Sequence, residues 1–286
     1  MRRFEGGKVG LARGAPLRLV CIDVDGTLVG SGGVVHPSIW PAAERARAVG
    51  LRLAICSGRP AFGVAREYAR QLDASGWHSF QNGASVLNLA TGESRSAQLA
   101  PAAVAMLLNR ARRSGHVLEL YTDDAYAIEN DSPRVEAHAA LLGVPFVPRP
   151  LSLLPGPYVR AQWLLASEQA EATLAEPHPG LEISPSTSPV MGDTTFVNMT
   201  PAGVTKATAV QTIALLYGIT LDQVMFVGDG GNDVPPMRIV GHAVAMANAE
   251  QHARATARHV VGDVDDGGLA DALDLAITLY SLPQLP

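Results

Sequence analysis

Short apolar runs rich in β-branched residues alternate with helical patterns at both ends of this chain, and each run stops at a turn. Residues 17–24 form one such run and end at Asp25-Gly26-Thr27; residues 51–56 form a second and end at Ser57-Gly58-Arg59. Helical stretches follow at 37–48 and, after Arg59, reaching about Leu72, and a short strand at 79–81 stops at Asn82-Gly83. The tail repeats the alternation: a helix over 205–217, a strand from Val224, a helix after Asp233, a strand from Ala243 and a helix over 268–279. Strands alternating with helices predict a parallel sheet joined by right-handed crossovers. Ligands bind beyond the carboxyl ends of such strands, so functional residues belong just after each apolar run.

The middle of the chain reads differently. Longer strand-like segments at 117–128 and 159–166 sit beside helices at 101–114, 133–142 and 167–176, with Pro-rich connectors around 145–157 and 177–189. This is the pattern of an α+β insertion, with ends near Gly83 and Thr200, so the parallel core is built from two separated pieces of chain. The expected organisation is a leader over 1–16, a core of 17–85 and 193–286, and a cap over 86–192. With 286 residues and 47% apolar content, the chain can bury two unequal cores without disulfide or metal staples.

Composition excludes several classes. The net charge is −5 and no Lys/Arg run offers a footprint for nucleic acid. No apolar stretch approaches the roughly 20 residues of a membrane span. The first 16 residues are Gly/Arg-rich without the apolar segment of a secretory signal, so a cytoplasmic protein is expected. Cys21 and Cys56 each lie inside an apolar run and read as small buried hydrophobes. The eight histidines form no His-Glu-x-x-His pair or Cys/His cluster for zinc, and no nucleotide-triphosphate loop occurs.

Four groups carry chemistry. Asp23 and Asp25 lie two apart on an extended segment, so both carboxylates can leave by one face. Such a pair persists when a cation neutralises it or one member stays protonated. A calcium loop of the EF-hand kind is excluded because Leu28 and Val34 occupy its required Gly and Glu positions. Ser57-Gly58 at a strand-to-helix turn offers a hydroxyl and an amide to an anionic oxygen. Lys206 stands at a helix start, where its charge is mildly unfavourable unless an anion lies near. Asp229, Asn232 and Asp233 on a Gly-rich turn supply the hard oxygen ligands that Mg²⁺ prefers.

In this order the groups resemble the four signature motifs of the haloacid dehalogenase-like superfamily, most closely its Cof-like branch. Further matches are Gln81-Asn82-Gly83-Ala84, residues 244–249, and Asp265-Asp266-Gly267-Gly268-Leu269-Ala270. Two positions depart: Ala207 and Ala247 stand where the family usually has Gly. The resemblance implies an α/β fold, a Rossmann-like parallel-sheet core with an inserted α+β cap, and a hydrolase acting on phosphoric monoesters. It implies Asp23 as nucleophile, Asp25 as general acid and base, and Thr27 orienting the loop and serving phosphate binding with Ser57, Gly58, Lys206 and Asn232. It implies Mg²⁺ held by Asp23, the Asp25 carbonyl, Asp229 and Asp233, the last directly or through water. The substrate would be a small phosphomonoester such as a sugar phosphate, handled by a monomer or homodimer with no nucleic-acid or membrane partner. A phosphotransferase or mutase with the same nucleophile and a non-catalytic binding protein are the alternatives. In the cap, Arg149, Arg160 and Gln162 offer polar contacts, but each reads first as a solvated residue.

Overall fold

The computed structural model describes residues 16–281, so the expected leader falls, but for its last residue, outside the described residues. Five parallel strands form the first sheet: β1 (Leu19–Ile22), β2 (Arg52–Ile55), β10 (Val224–Gly228), β11 (His242–Ala245) and β12 (His259–Val260), in the order β12-β11-β10-β1-β2. Side-chain alternation splits the core into two layers. Val20, Ile22, Leu53, Ile55, Met225 and Val227 pack toward α1 (Ile39–Ala48), α2 (Val64–Asp73) and α9 (Gly268–Tyr280). Leu19, Cys21, Ala54, Cys56, Val224 and Phe226 face α6 (Lys206–Tyr217), α7 (Val234–Ile239) and α8 (Gln251–Thr256). Both cysteines are therefore buried and free, as small core residues.

The third apolar run forms β3 (Trp77–Phe80), which pairs antiparallel with β4 (Ser85–Asn88) and meets the end of β2 through a Cys56–Ser79 bridge and a hydrogen bond from Ile55 N to His78 Nδ1 at 3.1 Å. Between β3 and β4, Gly83 has φ +101, and a Cβ there would overlap the backbone of Thr205. Only glycine lets this turn press against the start of α6. That helix is capped by Thr205, whose hydroxyl accepts from Thr208 N in a capping box.

The second sheet is antiparallel, in the order β6-β5-β7-β9-β8: β5 (Val117–Tyr121), β6 (Tyr126–Ile128), β7 (Arg160–Ala166), β8 (Leu181–Thr187) and β9 (Thr194–Pro201). Helices α3 (Pro101–Ser114), α4 (Pro133–Leu142) and α5 (Ser167–Ala175) accompany it. The expected single strand over 117–128 is broken, because Thr122 N bonds to Ala125 O and turns the chain into a hairpin. The Pro-rich stretch read as a connector contains β8. Pro185 is tolerated there because β8 is an edge strand, where a missing N–H breaks no ladder. Strand β9 belongs to this sheet as well, so the sheet runs past residue 192, where the cap was expected to end, to Pro201.

One face of the second sheet packs Leu118, Leu120, Ala161, Trp163, Leu165 and Val197 into an apolar cluster. The opposite face carries Glu119, Tyr121, Arg160, Gln162 and Asn198, all buried. Alternating polar residues on a strand normally mean solvent. Here that polar face is covered.

Candidate active site

The residues that follow β1 and β10, together with the start of α6, meet at one point. Lys206 Nζ donates to Asp23 Oδ1 at 2.6 Å and to Asp233 Oδ1 at 2.7 Å, and all three side chains are buried. Asp233 Oδ2 accepts from the amides of Asp229 and Gly230, each at 3.0 Å, which folds the Gly-rich turn around its own carboxylate. The Thr27 hydroxyl donates to Asp229 Oδ1 at 3.0 Å. Gly26, at φ +79, passes so close that a Cβ would overlap the Asp229 carboxylate. Asn248 braces the same loop by donating to Gly26 O at 2.8 Å while accepting from Val264 N.

Two carboxylates thus share one ammonium, with a third, Asp229, beside them. Burial would lower the Lys206 pKa, but Asp23 and Asp233 outweigh it and hold the ammonium charged. The shortage of positive charge falls on the acids. Burial, then the Asp233 charge, pushes Asp229 up to about 7 in spite of the Thr27 hydrogen bond. Asp23 is raised well above the usual carboxylate range by burial and by Asp233. Carboxylate oxygens of Asp23, Asp229 and Asp233 lie within 4.8 Å of one another. A cluster of hard oxygen donors with surplus negative charge fits a hard divalent cation such as Mg²⁺.

Asp25 is placed otherwise than its twin. Its carboxylate stands outside the cluster and takes a two-pronged contact from Arg59, with Nη2 to Oδ1 at 2.6 Å and Nε to Oδ2 at 3.0 Å. Asp23 and Asp25 both line a cavity of about 250 Å³, but only Asp23 also touches Lys206. Any part for Asp25 in metal binding therefore rests on its backbone carbonyl.

The other expected residues gather around this point with different duties. Thr27 is fully buried and its hydroxyl is spent on Asp229, so it orders the acidic cluster and does not face the cavity as a phosphate binder would. Ser57 is buried beneath the turn, where its Oγ accepts from Arg59 N at 3.0 Å. Gly58 lines the cavity, as does Asn232, whose amide donates to Asn82 Oδ1 at 3.1 Å.

The cavity is roofed by the polar face of the second sheet. Arg160 Nη1 donates across to Gly58 O at 2.7 Å and to Asn198 Oδ1 at 3.0 Å. Arg160 is 2% exposed, which overturns its reading as a solvated residue. Gln162 is buried too, donating to Glu119 Oε2 at 2.9 Å; Arg149 instead holds the Tyr126 carbonyl. Sequence reasoning missed Arg59 as the partner of Asp25, Asn248 as a brace, and the roof residues His138 and Asn198. Arg59 and Asn248 lie inside recognisable motifs; nothing local marks the other two.

A family model described as haloacid dehalogenase-like hydrolase matches residues 20–273. A Streptococcus pyogenes protein with a provisional phosphatase name is 23% identical over 264 residues, covering 90% of this chain and 97% of the relative. The 5-amino-6-(5-phospho-D-ribitylamino)uracil phosphatase YwtE of Bacillus subtilis is 21% identical, with the same coverages. Among solved structures, the subclass IIB sugar phosphatase BT4131 superposes with a TM-score of 0.77 at 24% identity, over 92% of this chain and 99% of that one.

Proposed function

This chain belongs to the haloacid dehalogenase-like hydrolase family, and from that premise we propose that it is a Mg²⁺-dependent phosphatase that hydrolyses a small phosphomonoester, such as a sugar phosphate, through an aspartyl-phosphate on Asp23. The observation that carries this reading is the Asp23–Lys206–Asp233 chain of contacts with Asp229 alongside. Lys206 takes Asp23 Oδ1, which fixes the carboxylate and leaves its second oxygen for attack. That oxygen bonds to phosphorus as the bond to the leaving oxygen breaks, and the departing alkoxide takes a proton from Asp25. In the second step Asp25 takes a proton from water, the water oxygen bonds to phosphorus, and Asp23 is released. Because Arg59 grips Asp25 in this structure, the incoming phosphoryl group must compete for that guanidinium before Asp25 can carry the proton.

Asp23, Asp229, Asp233 and the Asp25 carbonyl would hold Mg²⁺, which when bound supplies positive charge against the phosphoryl oxygens. Gly58 and Asn232 line the cavity, with Ser57 and Lys206 buried behind it, and together they would hold the phosphoryl oxygens with donors that match a charge spreading in the transition state. The second sheet acts as a cap that chooses the leaving group. Among the described residues no helix is long and apolar enough to cross a membrane. Phosphate release from a panel of phosphomonoesters with Mg²⁺ tests the reading. Turnover is expected with the metal and should vanish after EDTA; full turnover in EDTA would refute the mechanism.

A further inference from the structure

Arg160 holds more than it uses. Its Nη1 is occupied by Gly58 O and Asn198 Oδ1, yet its Nε and Nη2, both buried, have no hydrogen-bond partner among the described residues. Those two nitrogens form the side-on fork of a guanidinium, the edge that matches the two oxygens of a carboxylate or phosphate. Arg59 shows the match in this same chain, gripping Asp25 with its Nε and Nη2. Buried N–H groups without acceptors are costly, and a buried guanidinium without a carboxylate partner more so.

The surroundings settle what the fork lacks. Arg160 lies over the Tyr121 ring, 3.8 Å from its centroid, and the Tyr121 hydroxyl donates beyond it to Glu119 at 2.6 Å. Glu119 is itself engaged by Tyr121, by His138 Nδ1 at 2.9 Å and by Gln162 at 2.9 Å, so it does not neutralise Arg160 directly. In a planar guanidinium the Nε/Nη2 edge points opposite to Nη1, and so away from the Ser57-Gly58 turn that Nη1 holds.

We propose that Arg160 is the recognition residue for a second anion on the leaving group, so that the preferred substrates are small phosphomonoesters bearing a carboxylate or a second phosphate. This deepens the phosphatase reading and rests on it. The cavity, about 250 Å³, limits the leaving group to a small molecule, since drug-sized ligand pockets start near roughly 300 Å³.

Matched substrates test the proposal on the full chain with Mg²⁺: glucose 6-phosphate against 6-phosphogluconate for a carboxylate, and fructose 6-phosphate against fructose 1,6-bisphosphate for a second phosphate. In each pair the neutral leaving group is the control, and p-nitrophenyl phosphate reports the chemistry alone. The expected result is a kcat/KM higher by about tenfold or more for the anionic member of at least one pair, as a charge-assisted fork contact implies. Arg160→Gln should collapse that ratio toward one. Arg160→Lys, which keeps the charge without the fork, should restore part of it and serves where the Gln variant folds poorly. Equal rates within both pairs, or preference for the neutral members, would overturn the proposal. So would an Arg160→Gln loss equal for every substrate, which would assign the fork to the transferred phosphoryl group. No turnover of any substrate, p-nitrophenyl phosphate included, would overturn the phosphatase reading and this proposal with it.

Discussion

The floor and the roof of the cavity leave opposite needs unmet. The floor, at the carboxyl ends of the parallel strands, gathers Asp23, Asp229 and Asp233 around the single charge of Lys206. The roof, on the antiparallel sheet, holds Arg160 with two nitrogens that meet no acceptor among the described residues. A cluster short of positive charge calls for a cation, and a guanidinium short of acceptors calls for an anion. Between them lies the space for a molecule that is anionic at both ends. The floor residues lie within the signature motifs; the roof residues lie in the insertion, outside them.

Variants should separate the two regions sharply. Asp23→Asn removes the nucleophile and leaves the roof untouched, so turnover of every phosphomonoester should fall by ~10⁴-fold or more, as for other lost nucleophiles, without altering which substrates bind. Steady-state phosphate release together with substrate affinity by calorimetry measures both halves; a changed binding preference would blur the division.

The next effect is on the metal. Asp229 in the metal-free protein is pushed up to about 7, so below that pH it carries a proton that a cation must displace. The sign is therefore fixed: Mg²⁺ affinity rises with pH through the region of about 7 and weakens below it, by about tenfold per pH unit for each proton displaced. Metal titration at pH 6 and pH 8 checks this, and an affinity independent of pH would break the account of the floor as a proton-loaded cluster.

The smallest effect belongs to the roof's own stability. Glu119 accepts from Tyr121, His138 and Gln162 while buried, and Glu119→Gln turns one acceptor oxygen into a donor facing donors. A loss of about 2–3 kcal/mol in unfolding free energy is expected, read by denaturant titration, with EDTA sensitivity unchanged. A neutral effect would show that the roof is not held by this network.

How much of this was legible in the sequence follows the same division. Asp23, Asp229 and Asp233 were readable because a parallel strand that ends in a turn announces where its functional residues go, and Lys206 because a cation at a helix start asks for a nearby anion. The separation of Asp23 from Asp25 was not. Spacing along a strand puts them on one face, but the partner that draws Asp25 out, Arg59, comes from the next βα turn. The roof was harder. Arg160 and Gln162 alternate with Ala161 and Trp163, which is the pattern of a sheet with one wet face. Only cross-strand register, which sets Arg160 beside Tyr121 and Gln162 between Glu119 and Asn198, makes that face a network. Strand β8 was hidden for a related reason: Pro185 argues against a strand unless the strand is known to lie at an edge.

The central claim is that Asp23 carries the phosphoryl group while Asp25 moves protons. Asp25→Asn keeps the nucleophile but removes acid and base help, lowering the rate by about 10²–10⁴-fold. With p-nitrophenyl phosphate, whose leaving group needs little protonation, the deficit shifts to hydrolysis of the intermediate, so phosphoenzyme should accumulate. Rapid quench of this variant followed by peptide mapping should find the added phosphate on the peptide containing Asp23, at the Asp23 side chain. Phosphate on Asp229 or on any residue other than Asp23, or no phosphoenzyme during turnover, would contradict the account.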